Sequence, residues 1–427
     1  MNGTAIKRLK VGRPYTQRTA PLMVPGLFWV TGVLGMLVGF WRLWAVRRWV
    51  LLGTVGGGPV IASVHCFTLA GLTMVMMGAL YQLMPVLLNC EPVAAKHAAG
   101  QWVLYTLGLI FFISGLNSGD EWALALGGSG ILVGIGYFLL NMATRIRYRS
   151  TWNITAWFFA TALVYLALTL VMGGLLVLRY STGAPSFAEE LAVHMTVALG
   201  GWFGFLVVGA SYRLWAMFGR RHHEPKYWLG TWTLLNLAVI GIVLGDILVA
   251  PWVTDVGWGF QAAAFLVYVA DIGLGGLFDR RTMQDPALRT IGASLIFLAV
   301  WEVLGTLALG RHHDTLWIPA LLAYGLGWVG ISFLGFVQKI LPFMVWLHRY
   351  AHVRGQGKTP RLEDIWRPFW AYGPLGGAAS GLAILLGAWG LDSQLLFNLG
   401  VALQTLAWLL LLVMGIKAVR GPHHRSN

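Results

Sequence analysis

The sequence predicts an all-α integral membrane protein. It predicts about twelve transmembrane helices, grouped in three four-helix arcs around a pseudo-threefold axis. Three observations lead there. Of 427 residues, 57% are hydrophobic and only 11% are charged, where soluble domains carry about 25% charged residues. Twelve apolar stretches approach or exceed the ~20 residues that cross a hydrocarbon core. One of those stretches recurs along the chain, which is the mark of a repeat architecture.

The predicted spans are 22–45, 58–88, 97–117, 121–145, 153–178, 187–218, 227–250, 254–278, 287–310, 315–347, 368–390 and 393–417. They form a single transmembrane domain over 1–427, with arcs at about 22–145, 153–278 and 287–417. Outside the spans lie a basic N-terminal tail (1–20), a polar, basic loop (348–367) and a C-terminal tail (418–427). With the N-terminus inside, 23 of the 30 Lys and Arg fall in inner segments and five in outer loops. This bias predicts cytoplasmic N and C termini. It also accounts for the net charge of +14 without nucleic acid. Trp29, Trp102, Trp122, Trp252, Trp258 and Trp317 lie near span ends, as interfacial belts require. The first apolar run is long enough to remain as a span, so no cleavable signal peptide is expected.

The two cysteines, Cys66 and Cys90, sit at opposite ends of one span. At ~1.5 Å per residue they are far beyond disulfide reach. No CxxC or CxxCH motif is present, which excludes a zinc ribbon and covalent c-type haem attachment.

The repeat centres on HCFTLAGLTMVMMGALYQLMPVLLN, from His65 to Asn89. A second copy, HMTVALGGWFGFLVVGASYRLWAMF, runs from His194 to Phe218. The two histidines are 129 residues apart. The same step again reaches the tenth span, where Tyr324 occupies the place a histidine would take and QKILPFM echoes YQLMPVL. Both histidines lie about seven residues into spans that start on the outer side, roughly 10 Å deep. Such a pair either clasps a cofactor or bonds to neighbouring helices; an intramembrane ionisable group needs one or the other. Residues sharing the histidine faces include Thr68 on the second span, and Ala198 and Gly201 on the sixth. These small residues would face a flat macrocycle.

Twelve spans in three arcs, with key residues on spans two, six and ten, resemble subunit I of the haem–copper oxidase superfamily. VHCFTLAGLTMVMMGALYQLMPVLL is similar to the second helix of its short cbb3-type-like and NnrS-like members. The resemblance implies that His65 is an axial ligand of a haem b, and that His194 stands where a copper ligand is found. Taken as a facing pair, His65 and His194 would both bind the haem iron. Two features depart from the family pattern. The tenth span contains no histidine, and the loop after the seventh, APWVTDVGWG, contains none of the further copper ligands. A complete oxygen-reducing centre cannot be assembled from these positions.

Arg311 and Arg179 are the candidate partners for haem propionates on the outer side. His312 and His313 either bind copper, end a propionate network or lie on a solvated loop. His222, His223, His348, His352, His423 and His424 read as surface residues. The expected activity is redox or the handling of a small gas, nitric oxide or oxygen, by a haem-b membrane protein. An outer electron donor or partner subunit, or a homo-oligomer, would complete it in a bacterial or archaeal cell membrane. A transporter or channel is the alternative, motivated by Asp246, Asp271, Glu302 and Lys339 within the spans. A terminal oxidase or nitric oxide reductase would need a second redox metal.

Overall fold

The computed structural model describes residues 19–54, 56–182, 187–218, 225–276, 279–280, 282–311, 314–351 and 359–420. Among them are twelve helices long and apolar enough to cross a membrane. They are α1 (Met23–Ala45), α2 (Gly58–Leu87), α3 (Ala95–Ser118), α4 (Glu121–Arg147), α5 (Ile154–Tyr180) and α6 (Glu190–Trp215). The second half comprises α7 (Trp228–Ile247), α8 (Pro251–Leu274), α9 (Pro286–Leu309), α10 (Trp317–Arg349), α11 (Phe369–Gly390) and α12 (Gln394–Arg420). Helices satisfy their own backbone groups, which is what allows apolar sequence to span lipid.

The third and fourth helices of each arc form a tight hairpin, and each hairpin turns through one residue of positive φ: Gly119 (74°), Val249 (51°) and Asp392 (46°). After Gly119, Asp120 caps α4 by accepting the N–H groups of Trp122 (3.0 Å) and Ala123 (3.2 Å). Such a cap supplies acceptors to donors that the helix itself leaves free. In the second hairpin Pro251 opens α8, so this helix starts three residues earlier than the sequence predicts. The hairpin helices cross where glycines meet. A Cβ on Gly108 would come 2.6 Å from Gly130, one on Gly241 3.0 Å from Gly257, and one on Gly381 2.9 Å from the Gly400 carbonyl. Close backbone approach replaces the hydrophobic drive that lipid removes.

The arcs share cross-links as well. Trp102 on α3 donates to Thr31 on α1, and Trp232 on α7 donates to Thr161 on α5, both at 3.0 Å. The second helix of each arc lies innermost: the windows of α2, α6 and α10 are 61, 56 and 83% buried, against 33–50% for the others.

Four charged groups expected in the spans have local partners. Asp271, 1% exposed, accepts the backbone N–H groups of Lys226 (2.9 Å) and Tyr227 (3.1 Å); it ties the end of α8 to the start of α7. Lys339 pairs with Asp285. Gln261 donates to Glu302 at 3.1 Å, and Thr254 to Asp246 at 3.3 Å. His348 is not a surface residue. It is half-buried, and its ring nitrogens lie 2.9 Å from the Met344 carbonyl and 3.0 Å from that of Ala20, joining α10 to the approach of α1.

Candidate functional site

All three inner helices carry a π-helical stretch near the same end: Cys66–Thr73 in α2, Val197–Gly204 in α6 and Ala323–Ile331 in α10. Extra residues in the turn break the regular hydrogen-bond ladder, and such bulges collect at functional sites. Three equivalent residues stand at or just before the starts of these stretches. His65 is the eighth residue of the helix that begins at Gly58, His194 the eighth from Phe187 and Tyr324 the eighth from Trp317.

The widened stretches expose main-chain carbonyls to side chains. Leu69 in the first accepts the Tyr105 hydroxyl at 3.1 Å; Leu199 in the second accepts that of Tyr324 at 2.7 Å. The first two stretches are also joined directly, by the Trp202 indole N–H donating to Thr73 Oγ1 at 3.1 Å. That bond lies two helical turns beyond each histidine and fixes the register of α2 against α6.

The Thr73–Trp202 bond lies eight residues beyond both His65 and His194, so the two rings stand toward the same end of bonded helices. Both rings are half-buried. His65 Nδ1 lies 2.8 Å from the Ile61 carbonyl. A carbonyl only accepts, so Nδ1 carries the proton and Nε2 presents its lone pair. This is how metal-binding imidazoles are usually oriented. Phe112 of α3 packs edge-on to the ring, with centroids 5.3 Å apart. On the other side, His194 lies against α5. Its Nδ1 is buried and completes no hydrogen bond. A Cβ on Gly173 would come 3.3 Å from His194 Cε1, so this glycine keeps the ring's flank open.

The remaining expected site residues fall as follows. Thr68 is half-buried, and its hydroxyl donates back to the Val64 carbonyl at 3.0 Å. Ala198 is half-buried beside His194 in sequence. Gly201 faces Tyr165: a Cβ there would lie 2.4 Å from Cγ of that ring, so the space beside this glycine is taken by Tyr165. Arg179 is engaged with Glu190 at 2.8 Å, and Glu190 stands one helical turn before His194. His312, His313 and the Arg311 side chain lie outside the described residues.

The corresponding region between α8, α9 and α10 is filled with aromatic rings. Trp258 packs on Trp301 (5.3 Å between centroids) and Trp317 (5.4 Å); Trp301 packs on Tyr324 (5.0 Å), Tyr324 on Trp328 (5.1 Å) and Trp328 on Phe265 (5.1 Å). Tyr324 and Trp328 are 2% and 0% exposed. Among the described residues, no group of three or more His, Cys, Asp or Glu is placed to hold a metal ion.

This architecture has a solved counterpart in a haem–copper terminal oxidase dimer studied by cryo-electron microscopy. The TM-score is 0.68 at 10% identity, over 95% of this chain and 86% of that one. The two share a fold. No protein-family model matches the chain, and no curated protein sequence does.

Sequence reasoning missed Phe112, Gly173 and the Thr73–Trp202 bond. The last had a signal: both residues stand eight places after their histidines.

Proposed function

We propose that this chain is a single-centre haem-b membrane protein of the haem–copper oxidase type, with His65 and His194 as the axial ligands. The observation that carries this reading is a repeat-related pair of imidazoles toward the same end of two bonded helices, one oriented to offer Nε2 and one with a buried nitrogen that completes no hydrogen bond. Two imidazoles are too few to complete a bare metal site, and a porphyrin supplies the four further ligands. The bound group would supply one-electron chemistry or the sensing of a small gas such as nitric oxide or oxygen.

The chain's own residues do the positioning. Ile61 sets the His65 tautomer, the Thr73–Trp202 bond sets the register of the two rings, and Gly173 keeps the His194 flank open. Phe112 lines the His65 ring with an apolar edge. Two protein ligands on a bound haem would favour electron transfer or sensing over catalysis at an open site. Electrons would exchange with a donor protein at the histidine end, which the charge bias makes the extracytoplasmic side. Both termini then lie in the cytoplasm of a bacterial or archaeal cell, as in the NnrS-like proteins that the sequence resembles.

A second, oxygen-reducing centre is disfavoured by the aromatic rings packed around Tyr324, which stands at the position where the first two inner helices carry histidine. Transport is disfavoured by the partners held by Asp271, Glu302, Asp246 and Lys339.

The test is haem stoichiometry of the purified protein by the pyridine haemochrome assay. One haem b per chain is expected, lost in both His65→Ala and His194→Ala, with helix content by circular dichroism unchanged. A haem-free preparation from a haem-replete host would refute the reading.

A further inference from the structure

A groove of about 410 Å³ lies between α1, α2 and α3, lined by Leu34, Val38 and Arg42 of α1, Ala70 of α2, and Ile110 and Asn117 of α3, among others. None of the residues that touch the two imidazoles lines it, although Cys66 directly follows His65. Most of the wall surface is apolar. Along α1 it spans residues 31 to 42 and along α3 residues 106 to 117, each about 16 Å at ~1.5 Å per residue. Leu34, Val38 and Ile110 at its mouth are 48, 46 and 59% exposed, so the groove opens on the membrane-facing surface.

One end is different. Arg42 is only 8% exposed, yet no carboxylate pairs with it among the described residues. Its Nη2 donates to Asn117 Oδ1 at 2.9 Å and to the Pro59 carbonyl at 3.2 Å. Its Nε is buried without a partner. A buried guanidinium is costly unless an anion answers it, and two neutral oxygens do not neutralise it. Phosphate and carboxylate oxygens match its forked donors.

We propose that this groove holds one anionic phospholipid, its phosphate on Arg42 and Asn117 and one acyl chain along Val38, Leu34, Ala70 and Ile110. The shape decides between sources of phosphate. A free anion needs only the Arg42 end, whereas an acyl chain occupies an apolar trough of this length that opens to the bilayer. Arg42 near the end of α1 places the headgroup at the depth of the membrane boundary.

The experiment is native mass spectrometry of the full-length protein, stripped by detergent and then offered phosphatidylglycerol, phosphatidylcholine or inorganic phosphate. The wild type should retain one phosphatidylglycerol in preference to phosphatidylcholine, whose choline cation offsets its phosphate charge beside Arg42, by about tenfold or more. Arg42→Gln should abolish that preference. Ile110→Trp, which fills the exposed mouth and leaves Arg42 in place, should reduce retention of both lipids. Equal retention of the two lipids by the wild type would overturn the proposal. So would a preference that survives in Arg42→Gln, and so would full retention in Ile110→Trp. Displacement of the lipid by inorganic phosphate would assign a free-anion site instead. Should Arg42→Gln fail to fold, the Ile110→Trp and inorganic phosphate arms decide the matter alone.

Discussion

Trp202 donates its indole N–H to Thr73 across 3.1 Å, and the two residues stand 129 positions apart, the same step that separates His194 from His65. Equivalent positions of two repeats therefore touch. The bond turns an echo in the sequence into a fixed relation between two helices, because each partner sits two turns beyond its histidine. A shift of α2 along α6 would break it.

Thr73→Val removes the acceptor and strands a buried indole N–H. A loss of about 1–2 kcal/mol in stability is expected, from the ordinary cost of an unsatisfied donor in a membrane protein. Thr73→Ser should recover most of it. Thermal unfolding in detergent measures both. A faster loss of haem from the valine variant alone would tie the bond to the site.

Gly173 tests the space around His194. A Cβ would approach Cε1 to 3.3 Å, which a small ring movement absorbs, so Gly173→Ala should keep its haem. Gly173→Leu extends well beyond that distance and should displace the ring, lowering haem content several-fold while leaving helix content intact. Equal haem content in all three proteins would separate Gly173 from the site.

Tyr324 tests the filled third region. Tyr324→Phe loses the bond to the Leu199 carbonyl and should cost about 1 kcal/mol. Tyr324→His restores a histidine at the third equivalent position, but Trp301 and Trp328 still crowd it. The haem ratio should stay at one per chain. A ratio of two in Tyr324→His would show that packing there does not exclude a cofactor.

Asp271 distinguishes a structural carboxylate from a transport group. Asp271→Asn keeps one acceptor oxygen for two backbone donors, so a loss of about 1–2 kcal/mol is expected. Proton or solute flux in liposomes should be absent from wild type and variant alike. Flux present in the wild type and abolished in the variant would revive the transporter reading.

Much of this architecture is legible in the sequence because lipid imposes a single rule, long apolar runs with charge at their ends. The twelve spans follow from it. The histidine pair is legible too, since an ionisable residue at a fixed depth stands out in apolar sequence. Gly201 misleads for the same reason that it attracts notice. A glycine marks close approach but does not name the neighbour, and here the neighbour is Tyr165. The π-helical stretches leave no trace in composition, because CFTLAGLT and VALGGWFG suit regular helix equally well. The structural role of Asp271 is not legible in the sequence, because its partners are main-chain N–H groups 44 and 45 residues away, which no side-chain pattern reveals.

The claim on which the account turns is that both imidazoles bind one iron. Near-infrared magnetic circular dichroism of the oxidised, purified protein tests it most directly. The account predicts the charge-transfer band of bis-imidazole ligation, lost in both His65→Ala and His194→Ala. A haem spectrum that is identical in the wild type and in both variants would contradict it.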